Sequence, residues 1–213
     1  MIVLAASIVA VSGPVSAAAP PVGKWALRTN LANTGSSSAI KLNKLGATSF
    51  ESIVGINGSS RPGLRFDTGE GLTITGITKR GTYTIEMDVT FDDVSGYQRI
   101  VSFGPIDRDA GLYALDGRTS LYPFKSAGMD APFVPGDWVT VRVSRNGVTG
   151  RMQVYTAGTW GGTLFTFKDV NNRFKLREGV VNLFQDDNGE DAQGTITRLV
   201  LRDRYNPMVF GHD

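Results

Sequence analysis

Asp186, Asp187, Glu190 and Asp191 crowd into one short stretch between two apolar runs, the densest set of potential ligand groups in the chain. Carboxylates this close repel one another, so ion pairing, a metal or hydration must compensate them. Arg177, Arg198 and Arg202 are the cations that could compensate them by ion pairing. Hard carboxylate oxygens suit calcium, which takes roughly six to eight of them, and this makes Asp186, Asp187, Glu190 and Asp191 the candidate metal ligands. They do not form a helix–loop–helix calcium loop, because Asp191 stands where its glycine is needed. A second pair of carboxylates, Glu86 and Asp88, alternates along one apolar run. A retaining glycosidase needs two carboxyl groups roughly 5 Å apart on one sheet face. The next residue on that face is Thr90, so no acid/base follows Glu86 and Asp88 and the chain is expected not to be an enzyme.

Sugar sites combine aromatic faces with carboxylates, amides and guanidinium groups. The side chains suited to this are Tyr97, Arg99, Tyr113, Tyr122, Trp138 and Trp160, together with Asp186 and Asp187. Tyr97 and Arg99 are two residues apart and share a strand face. Trp160, inside GTWGG, reads as an exposed loop aromatic, whereas Trp25 and Trp138 are expected in the core. Histidine chemistry is nearly excluded by a single histidine, His212, and thiol chemistry by the lack of cysteine. Gly69-Glu70-Gly71 and Gly161-Gly162 open no helix and so offer no phosphate cradle.

These groups need strands to position them, and the chain supplies many. Tyr83–Phe91 alternates Tyr83, Ile85, Met87, Val89 and Phe91 with Thr84, Glu86, Asp88 and Thr90, a period of two that predicts one face in the core and the other in water. Further strands are expected at Lys24–Arg28, Ser49–Ile56, Leu64–Asp67, Leu72–Ile77, Tyr97–Phe103 and Thr163–Phe167. Hairpins are expected around Asp116-Gly117 and Asn146-Gly147. The acidic stretch joins two more strands, Val180–Gln185 and Gly194–Asp203, whereas Asn30–Lys41 reads as loop and Asn57-Gly58 as a turn that also forms a glycosylation triplet. Short strands with glycine turns and no amphipathic helix predict an all-β, two-sheet antiparallel sandwich.

The 213 residues suit one domain, and a formal charge of +2 without a basic block argues against nucleic acid as a partner. Ile2–Val11 is an apolar run too short to span a bilayer, followed by Gly13-Pro14 and the small residues Val15-Ser16-Ala17. Residues 1–17 therefore read as a secretory signal peptide. No Lys or Arg precedes the run, so a basic segment is expected upstream of Met1. Residues 18–23 read as a linker and 24–213 as the domain. The mature chain is expected outside the cell and not inserted in a membrane.

In this order, Trp25–Asn33 (WALRTNLAN), Gly63–Leu72 (GLRFDTGEGL), Tyr83–Phe91 (YTIEMDVTF), Gly111–Tyr113 (GLY) and Phe184–Arg202 (FQDDNGEDAQGTITRLVLR) resemble the laminin G-like jelly rolls of the concanavalin A-like lectin/glucanase superfamily. The similarity is to a version found in secreted bacterial proteins. It implies a curved jelly-roll sandwich whose concave face or rim loops bind carbohydrate or another extracellular ligand, sometimes with calcium. The expected function is a secreted, non-catalytic module binding an extracellular glycan. The alternative is a structural or adhesive module that recognises a surface protein, and a glycoside hydrolase is a more distant third.

Overall fold

A computed structural model of the chain describes residues 19–55, 58–106, 109–124, 131–186 and 189–208. The signal-peptide reading of residues 1–17, Asn57 of the glycosylation triplet, Asp187 and His212 lie outside the described residues.

Fourteen strands form two antiparallel sheets, with no helix among the described residues. In chain order they are β1 (Gly23–Trp25), β2 (Lys41–Leu45), β3 (Ser49–Val54), β4 (Ser60–Phe66), β5 (Gly71–Thr75), β6 (Tyr83–Phe91) and β7 (Tyr97–Ser102). There follow β8 (Gly111–Leu115), β9 (Arg118–Tyr122), β10 (Val139–Arg145), β11 (Arg151–Gly158), β12 (Gly161–Lys168), β13 (Val181–Leu183) and β14 (Gly194–Arg202). The first sheet runs β12-β11-β10-β6-β14-β4-β3, with β1 also paired to β14. The second runs β2-β5-β13-β7-β8-β9. The all-β, two-sheet antiparallel sandwich expected from the sequence is the fold observed.

Alternation builds the core between the sheets. Tyr83, Ile85, Met87, Val89 and Phe91 of β6 are all buried, as are Val139, Val141 and Val143 of β10 beside them. At one end Phe66 stacks on Phe184 with ring centres 3.9 Å apart, and Phe91 meets both edge-on. At the other end Tyr83 donates its hydroxyl to the Phe174 carbonyl at 2.6 Å. Arg145 is fully buried there because its guanidinium is fully employed. It donates to Asp169 (2.9 Å), to the Gly81 carbonyl (2.6 Å) and to Asn172 (2.6 Å).

Several expectations need correction. The polar face of β6 is not in water: Thr84, Glu86 and Thr90 are buried. Arg142 and Arg198 cover its carboxylates, and residues 203–208 lie across the row Thr84, Ser144 and Gln153. Thr84 Oγ1 accepts from Asn206 N, Ser144 Oγ donates to Asn206 O, and Gln153 exchanges hydrogen bonds with both Met208 N and Met208 O. The two strands that the acidic stretch joins do not pair with each other. β13 belongs to the second sheet and β14 to the first, so the stretch crosses between layers. β2 lies in a segment with no clean alternation and was not expected. The first strand, expected at Lys24–Arg28, runs Gly23–Trp25.

The turn residues show why these connections work. Asp116 and Gly117 both take positive φ (48° and 76°), the pair of conformations a tight two-residue hairpin requires. A Cβ on Gly117 would also meet the Phe133 carbonyl oxygen at 2.7 Å. In the Asn146 hairpin, Asn146 N donates to Arg151 O, and Gly150, not Gly147, takes the positive φ.

Truncating Phe66 to alanine removes the partner of both Phe184 and Phe91. Unfolding in urea should show a loss of about 3–5 kcal/mol; a loss under about 1 kcal/mol would mean the aromatic cluster does not hold the sheets together.

Candidate functional site

On the outward face of the second sheet, β7, β8 and β9 place their aromatic residues side by side. Register sets Arg99 opposite Tyr113, Tyr97 opposite Leu115 and Gly111 opposite Tyr122. A β-bulge between Arg99 and Val101 ends the alternation there, so that Ile100 and Val101 are both buried while Tyr97 and Arg99 share the other face. Tyr97 meets Tyr113 edge-on at 5.5 Å. With Asp109 and Glu190, the three tyrosines line a recess of about 230 Å³. Tyr97 and Tyr122 are each 39% exposed and Tyr113 only 1%, so Tyr113 forms the floor and the other two remain available to a ligand.

The acidic stretch closes this recess. Phe184 takes a positive φ of 71° at the end of β13 and turns the chain out of the sheet. The Glu190 carbonyl then accepts the Arg99 N–H at 2.9 Å, and Ala192 N returns to Phe184 O at 2.9 Å. Within the turn, Asp191 Oδ1 accepts the Asp186 N–H at 2.6 Å. Asp186 reaches Arg99, with 2.5 Å between carboxylate and guanidinium and both side chains wholly buried. The guanidinium carbon lies 5.0 Å from the centre of the Tyr113 ring, and the Tyr113 hydroxyl lies 3.4 Å from Asp186 Oδ2.

The compensating cation is therefore Arg99, from a strand more than eighty residues earlier in the chain, and not Arg177, Arg198 or Arg202. Arg198 instead pairs with Glu86 and Asp88. Burial raises the Glu190 carboxyl above its ordinary range, and the neighbouring Asp186 adds to the rise, against a smaller opposing pull from Arg99. Burial likewise pushes the Tyr113 phenol far up, only partly offset by Arg99. The Tyr113 phenol thus stays a neutral hydrogen-bonding group.

Tyr97, Arg99, Tyr113, Tyr122 and Asp186 are brought together, with Asp187 outside the described residues. Arg99 and Asp186 present no surface; they set the floor through Tyr113. Glu190, expected only as a metal ligand, lines the recess itself, and Asp109 was missed because it stands alone before β8 with no pattern around it. Trp160 is 64% exposed, as expected of a loop aromatic. Trp138, expected in the core, is partly exposed with the Arg61 guanidinium 5.2 Å above its ring. Among the described residues no three acidic side chains converge on a point where a metal ion fits. Asp186 pairs with Arg99, and Asp191 accepts from the turn backbone.

Glu86 and Asp88 lie on the outward face of the first sheet. Burial raises the Glu86 carboxyl, but hydrogen bonding and charge from Arg198 and Arg142 outweigh it and hold Glu86 below its usual range. Asp88 is held low in the same way, chiefly by Arg198 and by the Thr140 hydroxyl. A carboxylate so held is a poor proton donor.

No protein-family model matches the chain, and no curated protein matches it in sequence. Solved structures do. Domain 4 of AbnA, a GH43 extracellular arabinanase from Geobacillus stearothermophilus, solved with arabinotriose, is 16% identical with a TM-score of 0.60, covering 89% of this chain and 94% of that one. The binding domain of botulinum neurotoxin serotype D/C is 10% identical with a TM-score of 0.55, covering 87% of this chain and 49% of that one. A structure describing the dependence of botulinum neurotoxin type C cell entry on two ganglioside molecules is 10% identical with a TM-score of 0.54, covering 88% and 48%. The chain thus spans about half the length of the neurotoxin domains, and the likeness is one of fold: a two-sheet β-sandwich.

Removing one member of a buried ion pair leaves the other charge uncompensated, at about 3–5 kcal/mol. Asp186→Ala should lose that much stability in chemical denaturation, whereas the double variant Arg99→Met, Asp186→Leu should recover most of it. Equal losses in the two proteins would show that the pair is not the reason for the instability.

Proposed function

We propose that this protein is a secreted, non-catalytic domain of the laminin G-like, concanavalin A-like kind that binds carbohydrate in the recess formed by Tyr97, Tyr113, Tyr122, Glu190 and Asp109. The observation that carries this reading is the convergence of three tyrosines from three consecutive strands on one recess flanked by carboxyl groups. Tyrosine rings offer an apolar body for the C–H face of a sugar and a hydroxyl at the tip. Glu190 and Asp109 offer oxygens to sugar hydroxyls. The arabinanase domain solved with arabinotriose and the ganglioside-dependent neurotoxin support it by analogy of fold. A neurotoxin binding domain of the same fold was also solved with rat synaptotagmin II. A protein partner is therefore the second reading, which the half-exposed Tyr97 and Tyr122 would also serve.

Export rests on residues 2–17 of the sequence, and the non-catalytic reading on the arginine-bound state of Glu86 and Asp88. Calcium, in this reading, is not needed to compensate Asp186, since Arg99 already does so.

The test is a glycan array followed by calorimetric titration, with arabinotriose among the probes. Wild-type protein should retain at least one glycan class, and Tyr97→Ala and Tyr122→Ala should each weaken it about fivefold, the order expected for one ring contact. Absence of glycan binding, alongside capture of one defined extracellular protein lost in the same variants, would overturn the carbohydrate reading in favour of the second.

For calcium, melts in excess calcium and in chelator should agree to within about 1 °C. A site filled at a hundredfold excess over its dissociation constant would add about 2.7 kcal/mol, a shift of roughly 5–10 °C in a domain this size, and such a shift would refute the assignment.

A further inference from the structure

The edge of β14 changes partner midway. β4 pairs with Gly194–Ile196 and β1 with Leu199–Leu201, so Thr197 and Arg198 pair with neither. The register of β14 against β6 also slips there, between Ile196 and Arg198. The gap between the end of β1 and the start of β4 opens a cleft of about 490 Å³ on the first sheet, about twice the volume of the tyrosine recess on the second.

The charge in this cleft is one-sided. Lys24 and Arg28 enter from the β1 side and Arg61 from β4, all three exposed. None of them has a carboxylate within 4 Å among the described residues. The one acidic lining residue, Asp88, is neutralised: Arg198 grips its two oxygens at 2.6 and 3.0 Å, and the Thr140 hydroxyl adds a third contact at 2.8 Å. In a chain whose formal charge is only +2, three cations without an ion pair around one concavity, of which Arg61 also feels Asp88, are a local concentration of positive potential. Ser60 and Thr197 also line the cleft, with the Ser60 hydroxyl 2.7 Å from Ser52 Oγ and the Thr197 hydroxyl 3.5 Å from the Asp88 carbonyl oxygen.

A concavity with cations and hydroxyls fits a sugar ring carrying an anionic group. Nucleic acid is less well served, because binding a single strand relies on exposed aromatic faces for base stacking. Here Trp25 is wholly buried and the Trp138 face is occupied by Arg61. We propose that the cleft between β1, β4 and β14 is a second ligand site, which takes the carboxylate or sulfate groups of an acidic polysaccharide. It lies on the opposite sheet from the tyrosine recess and does not depend on that recess binding anything.

The test titrates the protein with polygalacturonate and with dextran sulfate, using neutral dextran and single-stranded DNA as comparators, at low and at physiological salt. Wild-type protein should bind at least one acidic polysaccharide and not neutral dextran, with affinity falling as salt screens the charges. The stronger of the two acidic probes identifies carboxylate or sulfate as the recognised group. The double variant Arg28→Ala, Arg61→Ala should bind roughly tenfold more weakly or worse, while Arg28→Lys, Arg61→Lys and Tyr97→Ala should stay within about threefold of wild type. The proposal is overturned if neither acidic polysaccharide binds, if single-stranded DNA binds as tightly, or if the alanine and lysine pairs lose affinity equally.

Discussion

The Arg99–Asp186 pair lies beneath the tyrosine recess with both side chains out of water, and the geometry of the recess depends on it. A guanidinium and a carboxylate removed from solvent must meet, because the desolvation of either alone is not offset by anything else nearby. Their meeting draws the acidic stretch back onto β7, where the Glu190 carbonyl takes the Arg99 N–H. It also fixes the Tyr113 ring against the guanidinium. Tyr97 then packs on Tyr113, and the recess takes its shape from there.

The same demand is met twice more. Arg145 and Asp169 fasten the 169–176 segment to the far end of the core through bonds to Asp169, Gly81 and Asn172. Arg142 and Arg198 cover Glu86 and Asp88 on the outward face of the first sheet. In each case an arginine projecting from a strand answers a carboxylate, and two of the four acids, Asp186 and Asp169, come from connecting segments. The sandwich supplies rigid positions, and these pairs decide which way the connections lie over them.

The two outward faces consequently differ. On the first sheet the carboxylates are paired off, leaving the cations of Lys24, Arg28 and Arg61 as the uncompensated charge beside the β14 gap. On the second sheet the cation is buried, leaving tyrosine hydroxyls, Glu190 and Asp109 at the surface. One face thus presents cations and the other phenols and carboxyl groups, although the chain as a whole is close to neutral.

The strand content was legible in the chain itself. Period-two alternation in Tyr83–Phe91 and the Asp116-Gly117 turn are local signals, since side-chain direction and backbone φ are set by neighbouring residues. So was the grouping of Tyr97 with Arg99, two residues apart on one strand. What lay beyond reach depended on partners distant in sequence. β2 carries no alternation and exists because β5 pairs with it, and the strands around the acidic stretch separate into different sheets because β13 and β14 find partners on opposite layers. Arg99 as the partner of Asp186, the covering of Glu86 by Arg142 and Arg198, and the cationic cleft between β1, β4 and β14 are all products of register between remote strands. Sequence alone determined an all-β chain with its aromatic and acidic residues in place; only the tertiary structure decided which charges neutralise one another and which remain for a ligand, because charge compensation acts through space and strand pairing sets the distances.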